Sequence, residues 1–219
     1  MAEKKKSNTG KVPERVRRNP ERTRARILEA ARVEFARRGL GGARVDQITA
    51  RAGSNKRMIY YYFGNKEALF LAALESAYEQ IRKAEKSLKL TDLAPVEGMR
   101  RLVRFTWEYY LAHPEFITLL NSENLNRARL LKKSKEIQAM HSPLVAMLED
   151  LLARGRRAGV FRRGVDPVQL YISIAALGYF YLSNNHTLST IFGRDLMQAA
   201  ARKKRLAHMT ELVLGYLAK

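Results

Sequence analysis

The chain has 219 residues, 46% of them hydrophobic and 28% charged, and 41 Lys+Arg against 21 Asp+Glu give a net charge of +20. This length suits one mid-sized domain, or a small one joined to a larger one, and the charge predicts attraction to a polyanion, either nucleic acid or an anionic membrane surface. There is no cysteine, which excludes disulfides, thiolate catalysis and cysteine zinc sites, and the four histidines, His113, His141, His186 and His208, lack metal-ligand spacing, so no metal or cofactor is expected.

The charge is uneven. Residues 1–66 hold 18 Lys+Arg against 6 Asp+Glu, while the other 153 residues hold 23 against 15, so the polyanion is expected at the N-terminal end. No apolar segment follows the basic start to make a signal peptide. The longest apolar stretch, from Val168 to Leu182, is interrupted by Gln169 and is too short to span a bilayer. The reading is a cytoplasmic protein with no membrane partner.

Residues 1–20, "MAEKKKSNTGKVPERVRRNP", are basic and polar with almost nothing to bury. They read as a disordered arm that either solubilises the chain or follows a DNA groove. Order begins near Pro20. In "PERTRARILEAARVEFARRG", Ile27, Leu28, Ala31, Phe35 and Ala36 share one helical face, and Gly39 ends the helix. A turn at Gly41–Gly42 leads to a short helix with Val45, Ile48 and Ala52 inward, ended by Gly53. The connection "SN" then opens a second short helix, "KRMIYYYF", whose inward positions are Ile59 and Phe63. Two short helices across a glycine-containing turn, after a longer one, fit a helix-turn-helix, although such pairs also occur in ordinary helical proteins.

Three consecutive tyrosines, Tyr60, Tyr61 and Tyr62, cannot all be core at about 100° per residue. Phenol hydroxyls can donate to phosphate oxygens, which positions a protein on DNA; the alternative is that one or two pack on the adjoining helix. Asn55, Lys56, Arg57 and Met58 lie at the helix start, the end that enters the major groove in this motif, where Lys56 or Arg57 can donate to guanine O6 and N7. Lys66 is placed to meet a phosphate at the next helix N-terminus.

Asn65 can cap a long helix with Leu69, Ala73, Ala77 and Ile81 on its apolar stripe. Further helix starts follow at Pro95 and Pro114, at Ser142 with Pro143, and at Asp166 with Pro167. A last helix is expected from about Asp195 to Leu217. No segment alternates like a strand. The fold class is all-α with about nine helices: a disordered arm over 1–20, a three-helix DNA-binding domain over 21–66, and a larger helical domain over 67–219.

Residues 21–70 resemble the TetR family of bacterial repressors. Its signature, roughly "T-x-x-x-I-A-x-x-A-G-V-S-x-G-x-L-Y-Y-H-F-x-x-K-E-x-L", is met by "RVDQITARAGSNKRMIYYYFGNKEAL", with matches at Ile48, Ala52, Gly53, Ile59, Tyr60, Tyr61, Phe63, Lys66, Glu67 and Leu69. Arg44, Ser54, Asn55, Arg57 and Tyr62 depart from it. The resemblance implies a homodimer on a near-palindromic double-stranded operator, meeting DNA through Arg44, Gln47, Asn55, Lys56, Arg57, Met58, Tyr60, Tyr61 and Lys66. It also implies a small-molecule effector that releases the DNA, and it assigns ligand binding and dimerisation to the domain over 67–219.

The C-terminal half is similar to one branch of that family, which includes the repressors of pyrimidine utilisation and of nicotinate breakdown. That implies a small, polar, ring-containing effector met by Tyr78, Trp107, Tyr110, Ala175 and Tyr179, of which Ala175 and Tyr179 depart from the pyrimidine repressor's residues. Trp107, Tyr110 and Phe116 cluster at a helix junction, followed by Asn121, Glu123, Asn124 and Arg127. This is either a pocket wall with its polar groups or plain core beside a solvated face. Ala175, Ala176 and Gly178, with Met209, Leu212, Val213 and Tyr216 of the last helix, read as a four-helix dimer interface or as monomer core. The clusters Arg154–Arg157 and Arg202–Arg205 read as solvated surface. No phosphate loop, metal spacing or nucleophile elbow supports an enzyme. The other function class consistent with +20 is a nonspecific DNA-coating protein, which would show little sequence preference and have no effector pocket.

Overall fold

The computed structural model describes residues 20–219, apart from the side chains of Gln138, His141 and Ser142. The expected basic arm therefore lies outside the described residues save for Pro20. The described residues form ten α-helices and two short 3-10 turns and contain no strand. The helices are α1 (Pro20–Gly42), α2 (Val45–Ala52), α3 (Lys56–Phe63), α4 (Lys66–Lys86), α5 (Pro95–Ala112), α6 (Pro114–Leu125), α7 (Lys135–Arg157), α8 (Pro167–Ser183), α9 (Asn185–Ile191) and α10 (Ala199–Leu217).

Local chemistry sets most boundaries. Asn55 and Asn65 cap α3 and α4, their side-chain oxygens accepting from Met58 N at 3.1 Å and Ala68 N at 2.8 Å. Asp166 caps α8 by accepting from Val168 N and Gln169 N, and Pro167 follows at a position whose N–H would be unbonded anyway. α1 is broken at Gly39, whose φ of 63° and ψ of 179° lie outside the helical region and favour glycine. Leu40, next in the chain, gives its amide to Ser122 Oγ of α6 at 3.2 Å. The first helix is thus tied to the larger helical layer at its kink. Phe35 and Phe70 add an edge-to-face contact at 5.1 Å between α1 and α4.

Several expectations are corrected. α7 begins at Lys135, with Ser134 Oγ accepting from Ile137 N, and Pro143 sits inside the helix rather than at its start. Pro143 and Ala139 are both exposed, so water can take the carbonyl that the missing N–H leaves free. α10 starts at Ala199 rather than Asp195, and a separate α9 precedes it. Two arginines assigned to solvated surface are structural. Arg154 donates to Leu93 O at 2.7 Å, Leu90 O at 2.8 Å and Asp150 at 2.8 Å. Arg205 donates to Leu177 O at 2.7 Å, with its guanidinium over the Tyr181 ring.

The expected interface residues divide. Gly178 and Met209 are buried, and a Cβ at Gly178 would come within 3.2 Å of the Tyr110 ring, so α5 and α8 need a small residue there. Val213 is core as well. Ala176, Phe180, Leu212 and Tyr216 line an open groove of about 480 Å³ between α8 and α10. Phe180, Leu212 and Tyr216 leave 59%, 46% and 48% of their surface exposed there, an apolar face left uncovered in one copy of the chain.

The α6–α7 connection is strained. Arg127 and Ala128 both adopt φ of 55°, a left-handed conformation that costs an L-residue roughly 1–2 kcal/mol. Glu123 stabilises the turn from below, its Oε1 accepting from Leu130 N at 2.7 Å and Leu131 N at 2.8 Å. Ala128→Gly should therefore stabilise the protein by about 0.5–1 kcal/mol, since relief of strain exceeds the added chain entropy. In thermal unfolding the midpoint should rise by roughly 2 °C; a fall would refute this account of the turn.

Candidate DNA-reading head and interior cluster

The N-terminal three-helix unit is held by a small core. Ile27, Ile48 and Ile59 are fully buried and Phe63 nearly so. Gly53, at φ 54°, turns the chain sharply between α2 and α3. Two arginines of α1 hold α3: Arg26 reaches Gly53 O at the turn at 3.4 Å, and Arg24 lies over the Phe63 ring at the far end of α3 at 5.0 Å. With Ile59 and Phe63 inward, the opposite side of α3 is fixed toward solvent.

That side brings together most of the expected DNA-facing residues. Arg44, Gln47, Asn55, Lys56 and Arg57 are exposed and Met58 is half-buried. Tyr60 and Tyr61 are 50% and 76% exposed, whereas Tyr62 packs on the core with its ring edge-on to Tyr61 and Phe63. Lys66 is placed differently from its neighbours: its ammonium donates to Gly41 O at 3.4 Å and so closes the C-terminal end of α1. Arg44 starts α2 without a side-chain cap, and its amide donates to the buried Glu34 at 3.1 Å. One acidic residue overlooked in the sequence also belongs here. Asp46 Oδ1 lies 2.7 Å from Lys56 Nζ. The bond holds the Asp46 carboxyl below its usual range and the Lys56 ammonium above it.

The second cluster lies among α4, α5, α6 and α8. Tyr110 stacks on Phe116 at 5.9 Å, Tyr78 meets the edge of Phe116 at 5.4 Å, and Trp107 meets the edge of Tyr181 at 5.6 Å. Tyr179 donates its hydroxyl to Asn121, and Ala175 is half-buried one turn before it. Tyr78, Trp107, Tyr110, Ala175 and Tyr179 are therefore interior or partly so. Asn124 is exposed near the end of α6 and stands apart from them.

Two charged residues that the sequence reading missed, Arg82 and Glu85, also belong to this cluster. Arg82 donates to the Tyr171 hydroxyl at 2.8 Å. Its Nη1 lies 2.8 Å from Glu85 Oε2 but off the hydrogen-bonding direction, so Nη1, Nε and that oxygen all lack a hydrogen-bond partner. Glu123 Oε2 is likewise buried without one. Burial pushes Glu85 up to about 7 despite the attraction of Arg82. The same cause pushes Tyr78 to about 12 and Tyr110 well above the usual phenol range. The signal was spacing: Tyr78, Arg82 and Glu85 recur at four and three residues, one helical face. Aromatic rings thus lie beside charged side chains whose buried atoms lack hydrogen-bond partners.

Residues 27–73 match the family described as bacterial regulatory proteins, tetR family, and residues 95–213 match the tetracyclin repressor-like C-terminal domain. The chain is 41% identical over 194 residues to the HTH-type transcriptional repressor NicS of Pseudomonas putida, covering 89% of this chain and 92% of that protein. It is 25% identical over 190 residues to the HTH-type transcriptional regulator RutR of Escherichia coli, covering 86% and 87%. These relatives uphold the branch that the C-terminal half resembles. Among solved structures, a transcriptional regulator from Streptomyces coelicolor superposes with a TM-score of 0.65 at 26% identity, over 89% of this chain and 98% of that one. The fatty acid degradation regulator FadR from Bacillus halodurans shares the fold with a TM-score of 0.65 at 18% identity, over 89% and 99%. The chain belongs to the TetR family of bacterial regulatory proteins and is a helix-turn-helix transcriptional regulator, not an enzyme.

Proposed function

We propose that this regulator is a cytoplasmic repressor that binds a near-palindromic operator as a homodimer and is released by a small polar ring compound. In this reading residues 21–66 are the DNA-binding domain and 67–219 the ligand-binding and dimerisation domain. α3 enters the major groove with Asn55, Lys56, Arg57 and Met58 at its leading end, and Arg44, Gln47, Tyr60, Tyr61 and Lys66 flank the backbone. The exposed face of α8 and α10 supports pairing with a second copy, which sets two reading heads about 34–36 Å apart, one turn of DNA.

The observation that carries the ligand reading is Arg82. A buried guanidinium, ion-paired to Glu85 yet with two nitrogens that make no hydrogen bond, against Tyr171 and near Tyr78 and Tyr110, is a costly arrangement that a bound acceptor relieves. Tyr78, Trp107, Tyr110, Ala175 and Tyr179 supply the walls, and Asn124 lies outside them. Selection of binding sites from random duplex DNA tests the operator half: a palindrome supports the reading, and tight binding with no motif defeats it. Release of that operator by polar rings, nicotinate and uracil among them, tests the ligand half. Arg82→Met should raise the concentration needed for release about tenfold or more, with operator affinity in the absence of ligand unchanged; an unaltered release curve would remove Arg82 from the site.

A further inference from the structure

The DNA-facing end of the three-helix unit carries a carboxylate among its cations. Asp46 lies in the first turn of α2, and Lys56 is the first residue of α3. Their 2.7 Å bond joins the two helices across the turn while their side chains stay 53% and 58% exposed. Arg44 adds a longer-range attraction to the same carboxylate, and Tyr60 faces the same ammonium. Arg57, beside them, is exposed. An acid in the first turn of a helix favours the helix dipole by a few tenths of a kcal/mol, but that effect needs no lysine opposite it.

A carboxylate at this place opposes DNA binding, since nonspecific affinity comes almost wholly from cations meeting phosphates. The chain already has an excess of them, 18 Lys+Arg against 6 Asp+Glu in residues 1–66. A regulator faces on the order of 10⁶–10⁹ competing sites, so nonspecific attraction reduces occupancy of the right one. A lysine ammonium has three donors. Asp46 takes one, leaving two at the leading end of α3. A free lysine on its four-carbon stem would instead wander to the nearest phosphate.

We propose that Asp46 is a specificity-determining residue, which holds Lys56 away from indiscriminate phosphate binding and presents its ammonium to an acceptor on the operator's base edges. This rests on α3 being the recognition helix, which operator selection tests separately. With an operator in hand, failure of the present experiment counts against Asp46 alone.

The test uses the full chain, Asp46→Asn, Lys56→Gln and the double variant, titrated against the selected operator and a random-sequence duplex over a range of KCl. Asp46→Asn is expected to tighten random-duplex binding about tenfold at ~50 mM salt and to steepen its salt slope by about one per head. Operator affinity should rise less than threefold, so the specificity ratio falls. On the Lys56→Gln background, Asp46→Asn should give no such gain. Equal gains on both duplexes, no gain on either, or the same gain without Lys56 would each overturn the proposal, the last by reducing Asp46 to a bare negative charge.

Discussion

Raising salt from about 50 to about 200 mM is expected to weaken operator binding by roughly 10³-fold or more. Each reading head presents Arg44, Lys56 and Arg57 to solvent, with Tyr60 and Tyr61 as uncharged donors beside them. Two heads in a dimer bring six or more cations to phosphates or groove edges, and each phosphate neutralised contributes about 0.9 to the slope of log affinity against log salt. Arg57→Ala then sorts base reading from backbone anchoring. If Arg57 reads a guanine, the loss of about 1–3 kcal/mol falls on the operator and not on random duplex. If it anchors a phosphate, both duplexes lose alike and the slope flattens by about one per head. Fluorescence anisotropy across KCl concentrations measures all of this, and a flat salt profile would refute an electrostatic reading head altogether.

Glu123→Ala is expected to cost about 2–5 kcal/mol of stability, enough to lower the unfolding midpoint by roughly 10 °C. The alanine would leave the buried Leu130 N and the neighbouring Leu131 N without their acceptor, in the turn already strained at Arg127 and Ala128. Glu123→Gln keeps an oxygen for both amides and should cost only about 1 kcal/mol. Equal losses for the two variants would show that the acceptor is not what Glu123 supplies.

The helices were legible where cause and effect are neighbours. Asn55, Asn65 and Asp166 each bond to an amide two or three residues on, and such caps can be read directly from a string of residues. Ser142–Pro143 carries the same signal as a true start but lies within α7, because proline at an exposed interior position leaves a carbonyl that water satisfies. The reading head was visible through its spacing. Lys66, however, bonds to Gly41 across 25 positions, and Lys56 and Asp46 meet only once α2 and α3 have folded together. The interior charges were the hardest. Arg82 and Glu85 look like a solvated i,i+3 pair on α4, and only Tyr171 of α8, 89 positions away, reveals them as buried. Arg154 and Arg205 were misread for the same reason, since the carbonyls they bond lie 61, 64 and 28 positions distant.

Ser122 and Glu123 are adjacent on α6, yet one holds the amide of Leu40 at the Gly39 kink and the other sits by Tyr78 in the interior cluster. Successive side chains on a helix diverge by about 100°, so turning α6 to alter one contact necessarily pulls on the other. A rotation of α6 would therefore be felt at both contacts at once. If the proposed release by a ligand runs through such a rotation, the ligand is in turn held less tightly, by the same factor, while DNA stays bound.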